Sequence, residues 1–301
     1  MRYRRLGSTE LRVSVVGVGT WQFGGDWGKQ FEQDEVDAML RRAKELGINL
    51  LDTAACYGGD HLSEKFIGNF LTTDDRTDWV VASKFGHMPG WQPEEVRQTI
   101  WDSLEALRTD YIDIFQFHSG GNEVFDTPGL WEMLGEQVEQ GTIRHLGISI
   151  GSNDNLYQTE KASEVGAEVI QVVYNRINKT PQERVFPSCE EQDLGVLARV
   201  PLASGFLSGK YDEEAEFPED DVRSRRDREQ IRRTVREVKK IEEEEVPEGV
   251  DTAQWALGWC LIHPAVTCVI PGCKSVEQVE SNAGAADLDI VPDDHPQAWR
   301  D

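Results

Sequence analysis

Short runs rich in valine, isoleucine, leucine and phenylalanine alternate along the chain with longer stretches whose apolar residues recur every three or four positions. The runs occupy residues 15–20, 48–54, 79–85, 112–118, 143–149, 169–174, 196–202 and 267–270. Nearly continuous apolar character over so short a span predicts parallel strands covered on both faces. Between the first two runs, Val36, Met39, Leu40, Ala43 and Leu46 line one face of a helix over 35–46, and Gly47 stops it. Pro93 opens a second helix over 94–108, with Val96, Ile100, Leu104 and Leu107 on its apolar face. Helical patterns over 130–140 and 153–165 end at Gly141 and Gly166. Residues 2–6 and 11–14 flank Gly7-Ser8 as a small hairpin ahead of the repeat. Eight β–α units in 301 residues predict a (β/α)8 barrel, one α/β domain spanning 1–301. A doubly wound sheet would carry a GxGxxG turn after its first strand. Gly17-Val18-Gly19-Thr20-Trp21 has two of the three glycines and then departs.

The repeat breaks after the seventh run. Residues 203–230 are long and polar, with Ser204-Gly205, Ser208-Gly209 and Pro218. A connection of this length leaving the C-terminal end of a strand predicts a lid over the active face. Two helices follow before the last strand, over 228–244 and 251–262, one more than a minimal barrel needs.

Three of the runs turn polar at their C-terminal ends, at Asp52, Lys84 and His118, and Tyr57 lies five residues beyond Asp52. A barrel gathers those strand ends at one mouth. Taken singly, Asp52 and Lys84 read as a buried ion pair, His118 as a core histidine and Tyr57 as loop packing. Their coincidence at one end of the barrel favours a shared site. There, the Lys84 ammonium is expected to stabilise the phenolate of Tyr57 and bring its pKa below the ordinary value of about 10. Asp52 would keep Lys84 charged, and His118 would hydrogen-bond a carbonyl oxygen. That set suits protonation of an oxygen that turns negative as a hydride reaches its carbon. Trp21, Phe23, His87 and Trp91 are expected to line an apolar mouth suited to aromatic or aliphatic carbonyls.

Charge narrows the partners. A net charge of −24 repels phosphate backbones and anionic membrane, leaving a small molecule as the expected partner and excluding nucleic acid. Acidic residues spread along the whole chain resemble the proteins of salt-loving organisms, where screening relieves self-repulsion. No stretch approaches the roughly 18 apolar residues of a membrane span. The five cysteines, at 56, 189, 260, 268 and 273, form no CxxC and no zinc spacing, which fits a reduced cytoplasmic setting. Cys56 is the one beside the chemistry.

Asp52-Thr53-Ala54-Ala55-Cys56-Tyr57-Gly58 resembles the active-site turn of the aldo-keto reductases, and the likeness continues through Ser83-Lys84 and the run Asp113–His118, across nearly the whole chain. The resemblance implies a barrel plugged at its base by the N-terminal hairpin, and NADPH- or NADH-dependent reduction of carbonyls or oxidation of alcohols. It implies Tyr57 as general acid/base, Lys84 and Asp52 tuning it, and His118 orienting substrate. Cofactor contacts are implied for Thr20 and Trp21, and for Ser149, Gln171 and Asn175 as the nicotinamide clamp, with Ile150 where many members have asparagine. Arg199-Val200-Pro201-Leu202 replaces the usual stacking tyrosine, leaving Arg199 to lie on the ring or to anchor the lid. Ser204, Gly205, Leu207 and Lys210 resemble the segment over the pyrophosphate. Gly272, Lys274, Ser275, Gln278 and Asn282 match the stretch that grips the adenosine 2′-phosphate. Gln278 stands where NADPH-specific members often have arginine, with Lys274 as the compensating cation, so NADP(H) is favoured over NAD(H) by a small margin. The resemblance admits two neighbouring roles: an alcohol or sugar dehydrogenase, and a cofactor-binding sensor like the potassium-channel β subunits.

Overall fold

A computed structural model describes residues 1–87, 90–153 and 155–300. The hairpin forms as expected: β1 (Tyr3–Arg5) pairs antiparallel with β2 (Arg12–Ser14). The eight barrel strands then follow: β3 (Val18–Gly19), β4 (Leu50–Asp52), β5 (Val80–Phe85), β6 (Ile112–His118), β7 (Ile143–Ser149), β8 (Ala167–Val173), β9 (Gly195–Arg199) and β10 (Cys268–Val269). Each pairs in parallel with its neighbour in sequence order from β3 to β10. The ring closes where the first and last runs meet, through bridges Val16↔Val269 and Gly19↔Gly272. Backbone bonds Gly17 N→Val269 O and Val269 N→Val15 O, both 2.9 Å, stitch that seam. Because the seam is bridged rather than laddered, β3 and β10 are shorter than their apolar runs.

Helices α1 (Gln33–Glu45) and α3 (Pro93–Leu107) start in reciprocal capping boxes, Glu32 with Glu35 and Gln92 with Glu95. Their apolar stripes are those of the sequence, Val36-Met39-Leu40-Ala43 and Val96-Ile100-Leu104-Leu107, all buried. Between them lies α2 (Leu62–Leu71), which the pattern did not reveal. After α4 (Asn122–Phe125) and α5 (Leu130–Glu139) comes α6 (Leu156–Glu160). It is much shorter than the stretch 153–165 expected for it, of which residue 154 lies outside the described residues. Beyond Glu160 the chain continues as turns, with three-residue bonds such as Ala162 N→Thr159 O and Gly166 N→Ser163 O. The helix α7 (Val185–Glu191) precedes β9; α8 (Arg228–Glu245) and α9 (Thr252–Leu261) are the two expected before β10, and α10 (Val276–Gly284) follows it.

Three apolar clusters hold these layers. Leu50, Val80, Ala82, Ile114, Val169, Leu197 and Cys268 fill the barrel interior, and Leu6 and Val13 of the hairpin join them. A larger cluster lies between the strands and the helices around them. A third joins Phe206 and Leu207 to Ile231, Val235, Val238, Ile241 and Trp255 of α8 and α9. It anchors the long connection after β9, which otherwise consists of turns and 3-10 segments. No helix of the described residues is long and apolar enough to cross a membrane.

Candidate active site

The C-terminal strand ends bring Asp52 (β4), Lys84 (β5), His118 (β6) and Gln171 (β8) together, and Tyr57 hangs over them from the turn after β4. Lys84 has no exposed surface. Its ammonium donates to Asp52 Oδ2 at 2.8 Å, to the Thr53 carbonyl at 2.6 Å and to the Tyr57 hydroxyl at 3.2 Å. The other Asp52 oxygen accepts from Gln171 Nε2 at 2.7 Å and Gln116 Nε2 at 3.3 Å. A buried carboxylate and ammonium are thus paired and hydrogen-bonded on their remaining positions, the condition under which such a pair is tolerated.

Burial pushes the Tyr57 phenol above its ordinary value; Lys84 offsets part of that rise and Asp52 adds to it. The expectation of a phenol lowered by Lys84 is corrected here, because loss of water outweighs one neighbouring cation whose charge is already shared with Asp52. Burial alone would lower Lys84, but Asp52 and Tyr57 hold it above its usual range. His118 is held well below its ordinary value, first by burial and then by Lys84, His87 and Arg199, so its imidazole is neutral. His87 meets it edge to face, ring centroids 4.5 Å apart. Trp21 stacks along Tyr57 at 5.9 Å, its indole N–H on Asp26 at 3.0 Å. A neutral phenol bonded to an ammonium, beside a neutral imidazole, can pass one proton to an oxygen placed between them.

Trp21, Asp52, Tyr57, His87, His118 and Gln171 form one end of a cavity of about 1500 Å³, and Lys84 stands off its wall, reaching it through the Tyr57 hydroxyl. Of the residues named from the sequence, Thr20, Trp21, Asp52, Tyr57, His87, His118, Gln171, Arg199, Pro201, Leu202, Ser204, Gly205, Lys210, Gly272, Lys274, Gln278 and Asn282 line it. Others stand off its wall. Ser149 lies behind Gln171, its hydroxyl 3.5 Å from Oε1. Asn175 is used by its own turn, donating to the Val200 carbonyl at 3.0 Å and accepting from the amides of Ile177 and Asn178. Leu207 belongs to the third apolar cluster, and Ser275 caps α10 at the Gln278 amide. The structure places Phe23 in the core against Phe31, and Trp91 against Phe85 and Phe117, rather than at the mouth. Arg199 is held by the Ile150 carbonyl at 3.0 Å, and its buried Nε has no protein partner.

The far end of the cavity is cationic, with Lys210, Arg223, Arg225 and Lys274 on its wall. Arg223 grips Asp221 with two bonds of 2.8 and 2.6 Å and reaches the Tyr211 hydroxyl at 2.6 Å. Trp27 bridges Asp221, the Val222 amide donates to the Asp26 carbonyl at 2.9 Å, and Lys274 donates to the Trp27 carbonyl. The loop after β3 and the long connection after β9 therefore meet across the cavity. Gly272 packs where a Cβ would come within 2.0 Å of the Gln22 side chain. Gln116, Gln22, Trp27, Asp221, Arg223 and Arg225 were not anticipated. Gln116 had a signal, a lone amide two residues before His118 in an apolar run, whereas the others sit in stretches without periodicity. Among the described residues, no group of three or more His, Cys, Asp or Glu could hold a metal ion.

The family model described as the Aldo/keto reductase family matches residues 15–298. The chain is 30% identical over 296 residues to the uncharacterized oxidoreductase YqkF of Bacillus subtilis (strain 168), covering 95% of this chain and 91% of that protein. It is 33% identical over 295 residues to the uncharacterized oxidoreductase Rv2298 of Mycobacterium tuberculosis (strain ATCC 25618 / H37Rv), covering 93% and 86%. Among solved structures, the holo form of aldo-keto reductase AKR11C1 from Bacillus halodurans superposes with a TM-score of 0.76 at 29% identity, covering 96% of this chain and 91% of that one.

Proposed function

The chain belongs to the aldo/keto reductase family, and from that premise we propose that it interconverts aldehydes or ketones and alcohols with a nicotinamide cofactor, Tyr57 giving and taking the proton. The observation that carries this reading is the Lys84 ammonium, whose three donors go to Asp52, the Thr53 carbonyl and the Tyr57 hydroxyl. A fully buried lysine held on a phenol at a cavity wall has little purpose in stability.

The cavity suits the cofactor. Its volume exceeds the few hundred to about 1000 Å³ of an ordinary small-ligand site. It runs from the proton-handling groups to four cations and the N-terminus of α10, where an anion is favoured. When bound, a reduced nicotinamide supplies the hydride. Lys84 stabilises the oxygen of Tyr57 as its proton leaves, and Asp52 keeps Lys84 charged throughout. Gln116 and Gln171 hold Asp52 in place. His118, neutral and at the wall, orients the substrate oxygen toward Tyr57. Trp21, stacked along Tyr57, screens that end from water. Run backwards, the same groups accept the proton of an alcohol.

NADP(H) is preferred over NAD(H) on the cationic far end. Lys274→Ala should weaken NADPH binding roughly tenfold and NADH binding much less, measured by cofactor fluorescence titration; equal losses would remove the preference. The central test follows NADPH and NADH consumption against aldehydes, ketones and sugars at low and high salt. Tyr57→Phe should abolish turnover while cofactor still binds. Full activity in that variant would sink the proposed acid.

A further inference from the structure

To hold a carbonyl oxygen, His118 must present a donor. In a neutral imidazole, the nitrogen that carries the proton is decided by the bond the other one makes. Nδ1 of His118 lies 3.8 Å from Cys56 Sγ. Cys56 is the residue before Tyr57, half-buried and on the cavity wall. A thiol donates and its sulfur accepts poorly, whereas an imidazole nitrogen accepts well. Burial keeps the thiol protonated and the imidazole neutral, the two forms such a bond requires. The other charged or titratable groups around the ring do not compete for Nδ1. Lys84 spends its three donors on Asp52, the Thr53 carbonyl and the Tyr57 hydroxyl, Arg199 donates to the Ile150 carbonyl, and His87 and Tyr57 meet the ring edge to face.

We propose that Cys56 is a positioning residue: its thiol donates to Nδ1 of His118, fixes the tautomer protonated on Nε2, and so sets the donor offered to a substrate oxygen. The kinetic consequence rests on the reductase reading, but the tautomer is a property of the protein alone. Long-range proton–nitrogen correlation spectra of histidine-labelled protein at neutral pH, with His118 assigned by its loss in His118→Gln, report it directly. Wild type should show one neutral form protonated on Nε2. Cys56→Ser, which keeps a donor, should preserve that form, while Cys56→Ala should give a mixture. In the carbonyl assay, Cys56→Ala should lose roughly three- to tenfold in kcat with less change in KM, and Cys56→Ser should recover most of it. A wild-type His118 protonated on Nδ1 would overturn the proposal without any cysteine variant. So would an unchanged tautomer in Cys56→Ala, which would leave the thiol as packing. Failure of the reductase reading is separate: it shows as full turnover in Tyr57→Phe, and the spectra still decide what Cys56 does.

Discussion

Lys84 and Asp52 pose the sharpest energetic question at the level of single residues. Removing the ammonium alone strands a buried carboxylate on two amides, Gln171 and Gln116. Breaking one side of a buried pair costs about 3–5 kcal/mol, whereas replacing both sides together costs far less. Lys84→Met should therefore destabilise by that amount in urea unfolding, and Asp52→Asn with Lys84→Met should regain much of it. Strictly additive losses would mean that the two charges do not hold each other. The histidines set a pH dependence. His118 is shifted far down from 6.5, mainly by burial. As pH falls below about 6.5 the unfolded chain takes up a proton that folded His118 refuses, so stability falls with pH there. His87, His263 and His295, the last lowered to about 4, act in the same direction. His61, raised chiefly by its bond to Glu64, acts in the opposite one. His118→Gln should flatten the decline of stability from about pH 6.5 to 5 relative to wild type; parallel curves would show that the ring is not desolvated. The placement of the four groups was legible because Asp52, Lys84 and His118 each interrupt an apolar run near its C-terminal end and Tyr57 follows just past the first of those runs. Their electrostatics were not: the phenol is raised rather than lowered, since burial of Tyr57 is a property of Trp21 and the loops above it.

What the pattern concealed at the level of elements has a physical cause in α2. Its apolar residues Phe66, Ile67, Phe70 and Leu71 surround Gly68-Asn69, a pair of poor helix formers that masks the period. Gly68 is there for packing. A Cβ on it would lie 2.1 Å from the Ala106 carbonyl oxygen and 2.8 Å from the Leu107 carbonyl carbon. Both belong to the backbone at the end of α3, which cannot swing aside as a side chain can. The same residue thus hides the helix from the sequence and lets it dock. Gly68→Ala gains helix propensity of about 1 kcal/mol yet should still destabilise, by roughly 1–3 kcal/mol, because overpacking against backbone forces the two helices apart. A raised urea midpoint would show that the contact yields. By contrast α1 and α3 were legible to within two residues, since their uninterrupted stripes agree with the stop at Gly47 and the start at Pro93. The cationic end of the cavity was the least legible, because Asp221, Arg223 and Arg225 lie in a connection ordered by the apolar cluster on α8 and α9 rather than by any period of its own.

Electrostatics at the level of the whole molecule are set by 55 acidic against 31 basic side chains. Surface pairs such as Arg5–Asp193 and Arg42–Glu280 recover little, because exposed pairs are each worth about 0–1 kcal/mol. The excess of 24 negative charges repels across the surface over about 10 Å at 0.1 M salt and about 3 Å at 1 M. Screening therefore removes more repulsion than attraction. The cavity shares this balance: a phosphate-bearing ligand approaching an acidic protein is repelled until it reaches the cations at the far end. We expect thermal stability in sodium chloride to climb most steeply at low ionic strength and to flatten near 1 M. Sodium sulfate should go on raising it beyond that point through exclusion from the surface. Association with NADPH should quicken over the same low-salt range, measured by stopped-flow fluorescence. A melting temperature that is flat or falling in chloride would mean that the acidic residues are spaced widely enough to ignore one another, and the reading of a salt-adapted surface would go with it.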